Sequence, residues 1–598
     1  MNNNNQSLET PRWDLSSLYS SVTGSDYLKQ LAEVEKQLST LEKMLNSPEN
    51  QENFPFWLSK FLEISEKTMA EYHSMSSFAY AAYSTDTTNS EYLNALSVIE
   101  EKGLKISQID RKYKDLLSAH SQDLDNFYTS YPQYKNLEYI IQHDIQALQH
   151  TMSEAEENIA DDLQRFGGSA WSRLHEQIIS NSVDVETGKT FNELRNEAYH
   201  ADRKVRKTAY EKEIALLKAS EIPLSAALNN LKAATVTLNK RRKWDSAIQK
   251  SAFFNRLSEK TINALISAIE DSLPMWRSYL KTKAKILGIP KCAFYDIFAP
   301  LQNPDPKATP DKTWTFPEAR NYIIEKFSGF SQHMGDFAKM AFEKQWIDAE
   351  VRKGKVGGAY CTEMPAQKES RVLSNFTGIF SDVITLSHEL GHAYHNWCVK
   401  DLSYSQGQYP MTLAETASIF AETIVMQDML DKTQGFQRAQ LLEMHLSDAN
   451  QVLVDILSRF YFERSVFQER EKGELGAADF CNLMADAQDK TYGDGLSEER
   501  HPYMWAVKTH YYSPDTDYYN YPYAFGLLFG LGLYSRYQSE GKSFTKVYQE
   551  LLADTGSASC ESVCKKAGFD IENKKFWASG IALYKNELEE LEKYADSL

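Results

Sequence analysis

The sequence predicts a mainly α-helical protein with a few short strands close to a candidate active site. Over much of the first 160 residues, apolar side chains recur every three or four positions, as in Leu31, Val34, Leu38 and Leu41. This spacing lines one face of an α-helix. Proline, which interrupts helices, is scarce in the same stretch. Short strands are predicted chiefly within residues 353–380, just before the candidate site.

The helical pattern divides the chain into two predicted domains. Helical spacing runs from Asp26 to about Ala160, and the pair Gly167-Gly168 then interrupts it. A short hairpin with a glycine turn is predicted around residues 183–191, and helices resume at residue 192. We therefore predict an N-terminal helical domain at 1–190, with its boundary between 110 and 190, and a second domain at 191–598.

Composition and charge limit the classes of partner. The 598 residues are 42% hydrophobic and 25% charged, which is ordinary for a globular protein. Lys and Arg total 65 and Asp and Glu total 83, so the net charge is −18. Such a charge argues against nonspecific binding to nucleic acid or to an anionic membrane. The sequence leaves the oligomeric state undetermined.

Cysteine usage and the N-terminus predict a cytoplasmic protein. Six cysteines are sparse for this length, and only Cys560 and Cys564 lie close together. Without a second pair at finger spacing they are expected to be reduced thiols rather than zinc ligands. The first residues have neither a basic start nor an apolar core, so no secretory signal is expected. No run of 18 apolar residues is present, so no membrane span is expected.

One five-residue motif predicts a catalytic metal site. The segment His388-Glu389-Leu-Gly-His392 follows the pattern His-Glu-x-x-His. Positions i and i+4 of a helix lie on one face, so both imidazoles can reach one zinc ion. Glu389 then lies beside the ion and is suited to accept a proton from a water held there. The alternative, a solvated helix with two surface histidines, is disfavoured by the apolar residues around the motif.

A catalytic zinc site needs a third protein ligand, and the sequence offers three candidates. His395 follows His388 by seven residues, and two helical turns span about 10 Å, too far for one ion. His395 is therefore assigned to the substrate side. Glu415 lies in a second apolar segment that suits a returning helix, although Thr412 could make it part of a capping box. Glu422, two turns further on, remains an alternative to Glu415.

The residues before the motif predict a hairpin that could bind substrate. Gly357, Gly358, Ala359 and Tyr360 form the end of a glycine-rich segment, and an apolar strand follows near residue 372. An edge strand beside a metal can bind an extended peptide by strand addition, and glycine lets its backbone approach. The alternative is a hairpin with a purely structural role.

The same residues resemble a known family. The pattern of Asp382, Thr385, the metal motif and the segment Ala414-Glu415-x-Ala-Ser418 is similar to that of the oligoendopeptidase F branch of the thimet-oligopeptidase-like zinc metallopeptidases. The opening Trp13-Asp-Leu-x-x-Leu-Tyr is similar as well. The resemblance implies one zinc ion per chain on His388, His392 and Glu415, with Glu389 as the base. It also implies two helical lobes around a deep substrate groove.

A tyrosine-rich segment near residues 510–526 resembles a substrate-contacting loop of that family. The resemblance implies that a histidine and nearby tyrosines donate hydrogen bonds to the substrate carbonyl group. His510, Tyr518 and Tyr521 match best, while Tyr519 and Tyr523 are alternatives because the pattern Tyr-x-Tyr-x-Tyr can shift by one register.

These patterns predict a zinc-dependent oligoendopeptidase that cleaves internal bonds of short, unfolded peptides. Two other functions remain open. One is a carboxypeptidase or dipeptidyl carboxypeptidase that uses the same site. The other is a non-hydrolytic, metal-containing peptide-binding protein, against which stands Glu389, since a structural metal site has no need of a neighbouring carboxylate.

Overall fold

The computed structural model of the protein describes residues 8–303 and 312–598. The chain forms two compact units, each assembled from three separate segments. The first unit comprises Met1–Gln149, Thr309–Asp428 and Arg536–Gly568, and the second comprises His150–Ala308, Met429–Ser535 and Phe569–Leu598. The units are thus interleaved along the chain, whereas the domains predicted at 1–190 and 191–598 are consecutive; that division stays a prediction.

The first unit is largely helical. Its longer helices are Ser25–Leu45, Phe54–Thr85, Ser90–Ala119, Glu138–Ala147, Phe316–Phe330, Gln332–Glu343, Phe380–Val399, Thr416–Lys432 and Phe544–Asp554. Shorter helices are Glu49–Glu52, Leu124–Ser130, Tyr404–Gly407, Met411–Ala414 and Cys560–Lys566. We call Phe380–Val399 the motif helix, Thr416–Lys432 the return helix and Phe54–Thr85 the long N-terminal helix.

The N-terminal part of this unit has its own hydrophobic core. The predicted apolar face of Val34, Leu38 and Leu41 is buried to 2% exposure or less and belongs to this core. Aromatic residues of the long N-terminal helix, among them Trp57 and Phe61, stack within it. The spacing of three or four residues in the sequence therefore marks a core face, as predicted.

A small sheet lies in the same unit. Its strands are β1 (Ile347–Asp348), β2 (Tyr360–Met364) and β3 (Glu369–Leu373), in the order β1-β3-β2. Strand β1 pairs with β3 in parallel, and β2 pairs with β3 in antiparallel fashion, with Tyr360 opposite Leu373. The predicted hairpin is thus present, and β2 forms one edge of the sheet.

The second unit consists of helices. They are Glu154–Phe166, Gly168–Asn181, Phe191–Asn196, Arg203–Ala219, Glu221–Arg241, Ala247–Phe254, Glu259–Ile286, Gly435–Asn450, Ile456–Arg470, Ala477–Tyr492, Met504–Val507, Tyr521–Glu540 and Lys574–Asp596. The short predicted hairpin near residue 183 is reduced to a single bridge between Val183 and Thr190. The glycine turn at Gly188 has a positive φ of 71°, which glycine adopts without strain.

The mainly α-helical prediction is confirmed. The predicted groove between two lobes stays a prediction.

All six cysteines are free thiols. Within residues 8–303 and 312–598, none of the helices combines the length and the apolarity that crossing a bilayer requires.

Candidate metal centre

The motif helix begins at a side-chain cap. The Asp382 carboxylate accepts hydrogen bonds from the backbone amides of Thr377, Gly378 and Ile379, at 2.6, 2.9 and 3.3 Å. The amides before a helix lack intrahelical partners, and a carboxylate satisfies them and also suits the positive end of the helix dipole. Gly378 has a φ of +93°, which allows the chain to turn sharply here. Asp382 therefore fixes where the helix starts and which residues face inward.

The two motif histidines lie side by side on this helix. Their ring centroids are 4.9 Å apart, and the rings are nearly perpendicular. His388 Nε2 lies 3.2 Å from Glu415 Oε2, and His392 Nε2 lies 3.3 Å from the same oxygen. The three side chains form a group whose ligand atoms all lie within 4.8 Å of one another.

Glu415 sits at the bend between two helices. It follows the short helix Met411–Ala414 and precedes the return helix. Its carboxylate also accepts a hydrogen bond of 2.8 Å from the Ser418 hydroxyl. The carboxylate thus faces two imidazoles and a hydroxyl. These contacts do not favour the alternative in which Glu415 forms a capping box with Thr412. Ser418, one turn on, holds the Glu415 carboxylate, a role that sequence reasoning missed.

Glu422 occupies the other side of His388. Its Oε2 lies 2.9 Å from His388 Nδ1. A carboxylate on Nδ1 favours the tautomer with the proton there, which leaves Nε2 free to bind a metal. This geometry favours Glu422 as a residue that orients a ligand, and it favours Glu415 over Glu422 as the third ligand. The available sequence signal was the spacing of seven residues, which puts Glu422 two turns into the return helix that begins directly after Glu415.

The donor set fits a zinc ion. Atoms that bind one zinc ion at about 2.0–2.1 Å with tetrahedral angles lie about 3.3 Å apart. The two Nε2–Oε2 distances of 3.2 and 3.3 Å match this value. They exceed the roughly 2.7–2.9 Å that is usual for a direct charge-assisted hydrogen bond. A metal ion binds imidazoles in their neutral form, so with the two carboxylates of Glu415 and Glu422 the metal-bound group would carry a charge of −2 that a dication balances.

Charge and burial shift the pKa values of this group. Burial alone would lower the pKa of His388, but hydrogen bonds and attraction from Glu415 and Glu422 raise it well above its ordinary value. Burial alone would raise the pKa of Glu415, but the two imidazoles lower it well below its ordinary value. Glu415 is therefore ionised, as a metal ligand must be.

Glu389 is the motif residue that lies next to this group. It is 7% exposed. Burial raises the pKa of its carboxyl group; the two imidazoles oppose this rise, and the Glu415 and Glu422 carboxylates add to it. A raised pKa makes the carboxylate a stronger base, which suits a residue that accepts a proton from water.

A cavity of about 450 Å³ opens in front of these residues. His388, Glu389, His392 and Glu415 line one wall of it. Residues of strand β2 with the preceding Ala359 line another wall. The predicted placing of a strand beside the metal motif is therefore observed within the first unit.

The glycine-rich segment before β2 is held in place and open in front. Asn375 Nδ2 donates to the carbonyl oxygens of Val356 and Gly358, at 3.1 and 2.8 Å. A Cβ atom added at Gly357 or Gly358 would meet nothing within 4 Å, and Gly358 has a φ of +76°. The Tyr360 hydroxyl, by contrast, is 2.6 Å from the Ser84 hydroxyl. The segment thus leaves room for an approaching backbone, as strand addition requires.

His395 lies in the core of the first unit. Its side chain is fully buried, its ring stacks on Tyr409 at 3.9 Å, and its Nε2 is 2.8 Å from the Thr555 hydroxyl. Burial lowers the pKa of His395 to about 3, so the ring is neutral. The predicted contact with substrate stays a prediction, and this burial does not favour it.

The tyrosine-rich loop belongs to the second unit. Tyr518 is 3% exposed, has a φ of +55° and packs against Phe460 and Phe467. Tyr521 is fully buried, with its hydroxyl 3.2 Å from Ser251 Oγ. Substrate contact by Tyr518 and Tyr521 stays a prediction, but neither ring is accessible in this unit.

Three neighbouring rings of this loop are partly exposed instead. His510 stacks on Tyr519 with ring centroids 4.9 Å apart, and Tyr523 lies 5.8 Å from Tyr519. Burial, together with the charges of Arg459 and Lys508, lowers the pKa of His510, so the ring is neutral. Accessibility therefore favours the alternative register, with Tyr519 and Tyr523 beside His510.

Gly391, inside the metal motif, allows the motif and return helices to touch. A Cβ atom added there would lie 2.5 Å from Ser418 Cα and 2.6 Å from the Ala417 carbonyl oxygen. Both are backbone atoms, so they cannot move aside as a flexible side chain could. The close approach brings the segment that carries Glu415 to the histidines. A glycine between the two motif histidines was the sequence signal for this contact.

We expect Gly391→Ala to separate the two helices, lower the melting temperature and weaken zinc binding. Overpacking of this kind costs about 1–3 kcal/mol. Differential scanning fluorimetry and competition with a zinc chelator measure the two effects. Gly329→Ala is the matched control, because a Cβ atom there meets nothing within 4 Å. An unchanged zinc affinity in Gly391→Ala would show that this contact does not hold Glu415 in place.

Comparison with known proteins agrees with this class of site. Residues 197–583 match the model of peptidase family M3, and residues 115–181 match the model named oligopeptidase F. The first match covers more than half of the chain. A helical fold, a His-Glu-x-x-His helix and a neighbouring glutamate define a metallopeptidase. The chain belongs to peptidase family M3, so the predictions of this family resemblance and of an enzyme of the metallopeptidase class are confirmed.

Similar proteins are found among both sequences and structures. The oligoendopeptidase F homolog of Lactococcus lactis subsp. lactis strain IL1403 is 26% identical over 620 residues, which cover 99% of each chain. The chromosomal oligoendopeptidase F of Lactococcus lactis subsp. cremoris is 29% identical over 407 residues, covering 66% of this chain and 65% of that one. The crystal structure of oligoendopeptidase-F from Enterococcus faecium has a TM-score of 0.70 at 17% identity, covering 96% and 99% of the two chains. At that identity the structural likeness supports the fold alone.

Proposed function

We propose that this M3-family peptidase is a zinc-dependent oligoendopeptidase that hydrolyses internal bonds of short, unfolded peptides. The observation that carries the proposal is the cavity in the first unit, where three metal-binding side chains face the edge strand β2. Relatives named oligoendopeptidase F, which match over the full length of the chain, support the endopeptidase assignment.

His388, His392 and Glu415 would hold one zinc ion per chain. When bound, zinc polarises the peptide carbonyl group and increases the acidity of a water molecule. Ser418 and Glu422 keep two of these ligands oriented, through their contacts with Glu415 and His388. Such supporting contacts fix the tautomer and position of a ligand.

Glu389 is the proposed general base. It accepts a proton from the attacking water molecule and later donates it to the leaving amine. Its burial supports this role, because burial raises the pKa of the carboxyl group and so makes the carboxylate a stronger base. His510, together with Tyr519 or Tyr523, is the proposed donor to the substrate carbonyl oxygen, on the strength of the family resemblance and of accessibility.

The substrate is proposed to bind as an added strand beside β2. The free edge of this strand offers backbone donors and acceptors that do not depend on the peptide's sequence. The open space in front of Gly357 and Gly358 supports this mode. Such binding requires a substrate with an extended backbone whose hydrogen-bonding groups are free, and in folded proteins these groups are already paired. Short peptides are therefore the expected partners. The cytoplasmic location stays a prediction.

The test is cleavage of a peptide of about ten residues, with the products identified by mass spectrometry. We expect internal fragments, loss of activity with a zinc chelator and recovery on adding zinc. Losses of one or two C-terminal residues would instead assign the enzyme to the carboxypeptidase or dipeptidyl carboxypeptidase class. Binding of peptides without any cleavage by the zinc-loaded protein would favour the non-hydrolytic alternative.

A further inference from the structure

Strand β2 presents its side chains to two different surroundings. The Tyr360 hydroxyl and the Thr362 hydroxyl contact Ser84 and Ser77 of the long N-terminal helix, at 2.6 and 2.9 Å. The next residue, Glu363, instead contacts Gln408, whose Nε2 donates to Glu363 Oε1 at 3.3 Å. Alternation along a strand explains this difference. Glu363 therefore lines the metal cavity, where it lies between Gln408 and His73 of the long N-terminal helix.

Glu363 is the charged cavity residue that the proposed chemistry does not use. The charged or titratable side chains along the cavity are the proposed zinc ligands, Glu389, Glu363 and His73, together with Tyr360, Cys361 and Tyr409. In the described part of the chain, no Lys or Arg forms an ion pair with Glu363. His73 Nδ1 lies 3.6 Å from Glu363 Oε1, which is longer than a hydrogen bond. The Glu363 side chain is 21% exposed, so an incoming cation can reach it.

The residues around Glu363 hold it toward the cavity. Besides donating to Glu363, Gln408 lines the same cavity. His73 is in turn held by the Tyr404 hydroxyl at 3.3 Å. A carboxylate held by neutral or weakly basic groups keeps its negative charge available, whereas a carboxylate paired with Lys or Arg does not.

A smaller pocket opens beside the cavity and shares Glu363, Asn396, Gly407 and Gln408 with it. Its volume is about 120 Å³. The apolar side chains of Ala393, Trp397 and Leu402 line it and could pack against the aliphatic part of a long side chain. Its two lysines are otherwise engaged, since Lys368 pairs with Asp401 at 2.6 Å and Lys400 lies over the Trp397 ring.

We propose that Glu363 determines specificity by selecting peptides that carry Lys or Arg at one fixed position relative to the cleaved bond. This inference rests on the proposed function. In strand addition, substrate side chains alternate in the same way as those of β2, so one of them lies beside Glu363. A basic side chain there gains an ion pair, and its stem covers the apolar wall.

The experiment uses peptides that differ at a single position, with Lys, Gln or Glu placed in turn at each position around the cleaved bond. At one position we expect the wild-type enzyme to cleave the Lys peptide with a kcat/KM about five times that of the Gln peptide, the size of a partly exposed ion pair. Glu363→Gln should bring this ratio close to one and leave the Gln peptide nearly unaffected. Glu363→Lys should reverse the preference toward Glu.

The matched control is Glu350→Gln, just after strand β1. Glu350 already pairs with Arg12 and Arg352 and lines neither the metal cavity nor the smaller pocket, so this variant should keep the preference. The preference should also fall with added salt, because salt screens exposed charges. A preference for the Lys peptide that persists in Glu363→Gln would overturn the proposal. A preference of the wild-type enzyme for the Glu peptide would also overturn it, and would indicate Lys400 as the residue that selects the substrate.

A binding measurement separates this inference from the proposed function. The same peptides are titrated onto the Glu389→Gln variant, which retains the cavity but is not expected to hydrolyse them. Tighter binding of the Lys peptide, lost on adding Glu363→Gln, supports the inference even if the wild-type enzyme cleaves none of the peptides. Equal binding of the Lys and Gln peptides contradicts it, whatever the hydrolysis results.

Discussion

Glu389→Gln is expected to lower kcat/KM by about 1,000-fold, within the range attributed to general acid–base catalysis. The amide cannot accept a proton from water, while its size and shape are nearly those of the carboxylate. Because Glu389 is not among the three clustered ligand residues, zinc content should remain at one ion per chain. Quenched-peptide turnover and metal analysis on the same preparation measure both quantities.

Glu350→Gln again serves as the control, because it makes the same chemical change at a position outside the metal cavity. Its activity should stay near that of the wild type. If Glu389→Gln kept near-normal activity, Glu389 would not be the base. If it lost both zinc and activity, its role would be structural, since the carboxylate would then be needed to hold the ligands.

Glu415→Gln is expected to have the largest effect on zinc. It replaces a charged oxygen that faces both imidazoles with a neutral amide, which is a poor zinc ligand. Glu422→Gln alters only the contact on His388 Nδ1, and changes of that kind typically weaken metal binding by about 10- to 100-fold. The zinc dissociation constant should therefore rise more in Glu415→Gln than in Glu422→Gln. Competition with a fluorescent chelator measures both.

The variant that loses more zinc affinity identifies the third ligand. A larger loss of zinc in Glu422→Gln would assign the third ligand to Glu422 and reduce Glu415 to a supporting residue. Circular dichroism on both variants should show unchanged helix content, because each substitution keeps side-chain volume. Activity should follow zinc occupancy, and excess zinc should restore more activity in Glu422→Gln than in Glu415→Gln.

Much of the metal centre could be predicted because its information is local. His388 and His392 are one helical turn apart, so helix geometry alone places them together. Glu389 lies in the same helical turn, so its position beside the histidines follows from the same geometry. The hairpin that contains β2 was also predictable, since glycine and apolar residues occur at the spacing of a turn and a strand.

Other residues could not be assigned in this way because their surroundings come from distant parts of the chain. His395 looked like a substrate residue by its spacing, yet Tyr409 and Thr555 enclose it. Tyr518 and Tyr521 matched the loop pattern, but both rings are buried, whereas those of Tyr519 and Tyr523, one and two residues further on, are partly exposed.

The amino-acid sequence by itself determined the helical class, the paired imidazoles with their neighbouring carboxylate, and the family to which the chain belongs. These depend on spacings of four residues or fewer, or on long stretches of similarity. Only the tertiary structure shows which imidazole nitrogen each glutamate contacts: Gly391 lets two helices approach until Glu415 meets Nε2 of His388 and Glu422 meets its Nδ1. Which nitrogen a carboxylate reaches depends on the packing of separate segments, and no local spacing encodes it.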